Sequence, residues 1–112
     1  MTILCRNTLD SLHEATGDVI HEILDTYLND AKLNIESIYS SLQSHDTDEL
    51  LRLVHRLKGS SRNVGARELA DLCESFERDL RNGEHGNLEQ RVALISASFE
   101  NTLPLLQSYL ER

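Results

Sequence analysis

Lys58 and Gly59 follow His55 by three and four positions in the run His55-Arg56-Leu57-Lys58-Gly59-Ser60-Ser61-Arg62-Asn63-Val64-Gly65-Ala66. An imidazole one helical turn before an ammonium is a nucleophile-capable ring beside a cation, a pairing suited to chemistry on an anionic group. At about 100° per residue, Leu50, Leu53, Val54, Leu57, Ser61 and Val64 cluster within roughly 100° of one another, the width of a core-facing stripe. His55 points away from that stripe. Leu51, Lys58 and Arg62 fall on nearly the same side as His55, because positions three and four apart are neighbours on a helix surface. The ring is therefore expected to be exposed among two cations and one exposed leucine. Gly59 costs about 1 kcal/mol relative to Ala inside a helix. Its place beside the ring favours clearance for an approaching group over the alternative of close helix packing.

Other chemistry-bearing residues are weaker candidates. Asp10-x-x-His13 and Asp18-x-x-His21 have the spacing of carboxylate-histidine pairs in di-metal bundles, but such sites need further inward carboxylates that the apolar stripes leave no room for. No metal is expected. His45 and His85 lie in turn-like segments. Nothing has the form of a phosphate-cradling glycine loop, so no autonomous use of ATP is expected.

The elements that must position His55 are helices. Residues 7–16 form a short one, with Asn7 or Thr8 as its cap and Gly17 as its end. Asp18 is placed to cap a long helix reaching about Leu42, with Ile20, Ile23, Leu24, Tyr27, Ala31, Ile35, Ile38 and Leu42 as its stripe. Asp46-x-x-Glu49 has the form of a capping box opening the third helix, which carries His55. Gly65 interrupts that pattern. Leu69, Leu72, Cys73, Phe76 and Leu80 mark a fourth helix closing at Asn82-Gly83, and Leu88, Val92, Ile95, Phe99, Leu103, Leu106 and Leu110 mark a fifth. Pro104 inside the fifth predicts a kink or break near Glu100, where the proline ring meets the carbonyl four residues back. Short connections make consecutive helices antiparallel neighbours. The expected fold is all-α, an up-down antiparallel four-helix bundle with a short additional N-terminal helix, one domain over residues 1–112.

His-x-Leu-Lys-Gly-Ser-Ser followed by Val-Gly-Ala resembles the motif of histidine phosphotransfer (HPt) domains of bacterial phosphorelays. The resemblance extends upstream to Ser44-His45-Asp46 and downstream to Leu69-Ala70-Asp71-Leu72-Cys73-Glu74, covering about residues 17–83. It implies that His55 carries a phosphoryl group between receiver-domain aspartates and that Lys58 and Gly59 occupy the next two functional positions. It also implies response-regulator receivers and hybrid sensor kinases as partners, a divalent cation held by the receiver, and no cofactor or autonomous kinase activity of the chain's own. A histidine with a reference pKa of roughly 6.5 has a neutral fraction at cellular pH, and nearby cations are expected to favour that neutral form. Lys58 is expected to act as a mobile point charge beside the transferred group. Leu51 and Arg62 are expected partner contacts, the second with the best phase for steering an acidic receiver.

The bulk composition fits this reading. The chain has 112 residues, one Pro, five Gly, no Trp and a net charge of −8, which disfavours nucleic acid and anionic membranes as partners. Yet Arg52, Arg56, Lys58, Arg62 and Arg67 make one locally basic stretch. Cys5 and Cys73 are too few for a disulfide framework, and no apolar run approaches the roughly 18 residues of a membrane span. A cytoplasmic, monomeric and freestanding protein is expected. Two competing functions share the fold: a non-catalytic helical adaptor that binds a receiver through the Leu51-His55 face, and a metal-dependent bundle enzyme that retains its metal on purification.

Overall fold

The computed structural model describes residues 2–111. Helix α1 spans Arg6–Thr16, a 3₁₀ turn covers Gly17–Val19, and α2 spans Ile20–Gln43, α3 Thr47–Asn63, α4 Arg67–Arg81 and α5 Leu88–Leu110. Among the described residues there is no strand. Helix α3 packs between α2 and α4, and α5 closes the ring by packing against both α4 and α2. The result is the expected up-down bundle. Its 41 Å long axis follows from α2, whose 24 residues rise about 36 Å at 1.5 Å each.

Apolar periodicity decides which faces turn inward. Leu50, Leu53, Val54, Leu57 and Val64 of the α3 segment are all buried, as are Leu24, Ile38, Leu69, Phe76, Val92, Ile95 and Leu106 from the other long helices. Each such side chain contributes about 1.5–3 kcal/mol by leaving water. Ser61 lies in the same stripe and is fully buried, its hydroxyl 2.8 Å from that of Tyr27 on α2.

Three helix-start expectations need correction. Cys5, not Asn7 or Thr8, stands at the α1 N-cap, in extended backbone and without a side-chain cap. The entry is fixed instead by the Cys5 N–H, which donates to the Gly65 carbonyl at 2.7 Å. Asp18 does not cap α2, because the 3₁₀ turn runs directly into it and the Ile20 N–H finds the Gly17 and Asp18 carbonyls. At α3 the Asp46 carboxylate does accept from the Glu49 N–H at 3.0 Å. The reciprocal half of the box is absent: the Asp46 N–H goes to the Ser41 carbonyl, and the Glu49 side chain pairs with Arg52.

Gly65 takes φ +77° in the α3–α4 turn, and a Cβ there would meet the Cys5 carbonyl oxygen at 2.8 Å. Only glycine allows that approach. With Leu9 fully buried and the Tyr109 hydroxyl donating to Asp10 Oδ1 at 2.9 Å, α1 closes one end of the bundle. Helix α5 is not broken at Pro104 and continues to Leu110. Glu100 and Pro104 are both exposed, so water can satisfy the carbonyl that lost its N–H partner.

Candidate functional site

The buried stripe of α3 forces His55 outward, and its side chain is 58% exposed. The neighbouring helix supplies what α3 alone does not. Glu77 of α4 is only 5% exposed, and its Oε2 lies 2.7 Å from His55 Nδ1. Its Oε1 lies 2.6 Å from Lys58 Nζ, and Arg81, one turn later on α4, donates to Oε2 from Nε at 3.1 Å and from Nη2 at 2.8 Å. Burial by itself pushes the Glu77 carboxyl up; hydrogen bonds from Lys58, Arg81 and His55 more than reverse this and hold it down at about 2. Glu77 is therefore an ionised acceptor at neutral pH. An ionised carboxylate against Nδ1 requires the proton on that nitrogen, leaving the Nε2 lone pair of a neutral ring available on the exposed side.

Gly59 is exposed, with no atom within 4 Å of the position a Cβ would occupy. Close packing is therefore not the reason for glycine there. The space one turn after the ring is open to a visitor.

Several site expectations are revised by this geometry. Lys58 is not a free, mobile ammonium: its side chain is 18% exposed and anchored on Glu77. The charged group touching the ring is a carboxylate rather than one of the cations expected to crowd it. Leu51 is half-buried and packs against the core instead of standing exposed. Arg62 is exposed, but its Nη2 lies 3.3 Å from Glu74 Oε1, so its charge is partly balanced. Among the described residues Arg56 and Arg78 are exposed and have no ion pair. Arg78 lines a groove with Lys58, Glu74, Glu77, Arg81 and Asn82, of which Glu77 contacts the ring.

Sequence reasoning missed Glu77 and Arg81. A signal was present: Glu77 falls beside the stripe of Leu69, Cys73, Phe76 and Leu80, where a carboxylate needs compensating partners, and Arg81 follows it by one turn. Cys73, buried behind Glu77, has its thiol pushed up to about 12 by burial and by the Glu77 charge, which leaves it an inert apolar filler. Asp10 and His13 are engaged with Tyr109 at the capped end. Among the described residues no three His, Cys, Asp or Glu side chains are grouped to hold a metal ion. No helix there is long and apolar enough to cross a membrane.

The structure is a helical bundle that presents His55 from the middle of α3 with a buried carboxylate against its ring. The Hpt domain model matches residues 22–112, and the chain belongs to that family. It is 34% identical over 76 residues to histidine-containing phosphotransfer protein 5 of Arabidopsis thaliana and 31% identical over 67 residues to protein 2 of the same plant. Those matches cover 63% and 57% of this chain, and 48% and 43% of the relatives; the chain spans about half their length. The crystal structure of histidine-containing phosphotransfer protein B (HptB) from Pseudomonas aeruginosa superimposes with a TM-score of 0.93 at 29% identity, covering 98% of this chain and 96% of that one. The maize protein ZmHP2 shares the fold, with a TM-score of 0.84 at 23% identity over 97% of this chain and 83% of its own.

Proposed function

We propose that this chain relays a phosphoryl group between receiver-domain aspartates, with Nε2 of His55 as the carrier atom. The observation that carries the reading is the Nδ1 contact with Glu77, which fixes the ring and leaves Nε2 exposed next to the open space at Gly59. Phosphoryl transfer is mainly a matter of positioning and charge stabilisation. In this reading Nε2 attacks the aspartyl phosphate in line, while the ring is prevented from turning by Glu77. Lys58, three residues from His55, supplies positive charge near the transferred oxygens by exchanging part of its contact with Glu77 for them. The divalent cation and the aspartate belong to the receiver, so the chain needs no cofactor and no ATP site. Receivers and hybrid sensor kinases are the partners, in the cytoplasm, and the chain works as a monomer.

The test is incubation of the full chain with phosphorylated receivers. The expected product is an acid-labile, base-stable label that is absent from His55→Gln. Phosphate-independent receiver binding without any label would instead support the adaptor reading, and failure with every receiver of the source organism would overturn the carrier assignment.

A further inference from the structure

We propose that Glu77 retains the Nδ1 proton on the ring throughout the transfer cycle, making phosphoryl-His55 a ready donor instead of a stable store. This inference rests on His55 being the carrier. When a neutral ring with Nδ1–H attacks an aspartyl phosphate, the Nε2–P bond forms and the carboxylate O–P bond breaks. The electron pair leaves with the aspartate and no proton moves. The ring is left with a positive charge, and that charge faces Glu77 Oε2 at 2.7 Å.

What happens next to the Nδ1 proton decides the fate of the phosphoryl group. If it stays, cleavage of N–P returns the electron pair to a neutral imidazole, a good leaving group, whether the acceptor is another aspartate or water. If it is lost to solvent, the same cleavage must expel an imidazolide anion, and the group is trapped. A buried carboxylate in direct contact with Nδ1 favours the protonated ring. The groups facing this pair are Lys58 from α3 and Arg81 from α4, both on Glu77, with Arg62 and Glu74 paired one turn away and Arg78 exposed beside the groove. Helix α2 contributes Tyr27, which lies on the buried side of α3 against Ser61. The cations alone would oppose a positive ring. The contact that favours it is Glu77, the only one of these groups in hydrogen-bond reach of Nδ1.

Glu77→Gln separates charge from position, since a carboxamide oxygen can still accept from Nδ1–H but cannot balance a ring cation. The full chain is phosphorylated with phosphoramidate, and the loss of label is followed from pH 6 to 9 alongside ¹⁵N shifts of the ring. For the wild type we expect a nearly flat hydrolysis rate across neutral pH and a protonated Nδ1 signal. For Glu77→Gln we expect a rate that falls by about tenfold per pH unit once the ring deprotonates, and a lifetime at least about tenfold longer at pH 8. Freed Lys58 and Arg81 could also lengthen the lifetime by holding the phosphoryl oxygens, but that effect would not create the slope. Equal slopes in the two proteins would overturn the inference. So would a wild-type rate that already falls steeply between pH 6 and 8, a result that needs no variant to fold. Absence of label on the wild type would overturn the carrier reading itself.

Discussion

The α3–α4 face and the α2–α5 side of the bundle follow the same amphipathic pattern yet dispose of their polar groups differently. Between α3 and α4 charges meet across the seam: His55 and Lys58 reach Glu77, and Arg62 reaches Glu74. On the other side two buried hydroxyls turn back on their own helices, Ser41 to the Ile38 carbonyl and Thr102 to the Ser98 carbonyl, and among the described residues no ion pair joins α2 to α5. A charge network held across two helices fixes the geometry of each member, which a group-transfer site needs. Local hydrogen bonds only remove a cost of burial. The difference separates the working face from the supporting side.

The most severe way to break the working face is at its carrier atom. His55→Gln is expected to abolish phosphoryl acceptance while leaving the melting temperature nearly unchanged, since the side chain is outside the buried stripe. A labelling assay paired with circular dichroism checks both halves. A sharp loss of stability would show that the ring is a structural member of the network. Next in size, Gly59→Glu is expected to slow transfer by about a hundredfold through obstruction and repulsion of phosphoryl oxygens. Folding should not suffer, because the new Cβ meets nothing within 4 Å and helix propensity improves.

Much of this contrast is legible in the sequence, and its limits are physical. The phase of Leu50, Leu53, Val54, Leu57, Ser61 and Val64 places His55 outside, and Gly17, Asp46 and Asn82-Gly83 mark helix ends, because these signals are carried by one helix at a time. Glu77 is different. Its meaning depends on which residues of α3 lie opposite it, 22 positions away in sequence, and a single helical wheel does not contain that register. Lys58 and Leu51 differ from expectation for a related reason: both share the His55 side of α3, but Lys58 is held by Glu77 of α4 and Leu51 packs against the core. Asp18 lost to a competing 3₁₀ turn whose backbone satisfied the same donors.

Glu77 also ties the network to pH. Its carboxyl is lowered from an ordinary 4.5 to about 2, so it contributes stability that is present above about pH 4.5 and is lost as pH falls from there through 2. The contribution is on the order of 3 kcal/mol. Urea denaturation of wild type and Glu77→Gln should therefore show a gap of this order at pH 7 that closes toward pH 2. A gap that does not change with pH would assign the effect to packing instead of to charge. No comparable acid-sensitive group joins α2 to α5 among the described residues.

Recognition gives a smaller contrast within the working face. Arg62 already shares its charge with Glu74, whereas Arg78 has no such partner, so Arg78→Glu is expected to slow receiver association at low salt by about tenfold and Arg62→Glu by less. A charge change at exposed Glu89, at the start of α5, should leave association unchanged. High ionic strength should erase the differences. An equal loss from all three would mean that overall charge, not the face around His55, guides docking.

The smallest expected effect lies on the supporting side. Ser98 is 2% exposed and its Oγ has no hydrogen-bond partner among the described residues, although its carbonyl accepts from Thr102. Ser98→Ala keeps the carbonyl, removes a hydroxyl that burial has stripped of water, and raises helix propensity. Stability should rise by about 1 kcal/mol, a change readable as a higher urea midpoint, with no effect on labelling of His55. The corresponding truncation across the working seam, Lys58→Ala, should move both quantities, since it strips a charge from a buried carboxylate and positive charge from beside the ring. If Ser98→Ala instead destabilised the bundle, its hydroxyl would have to be satisfied by ordered water, and the α2–α5 side would hold a polar network of its own.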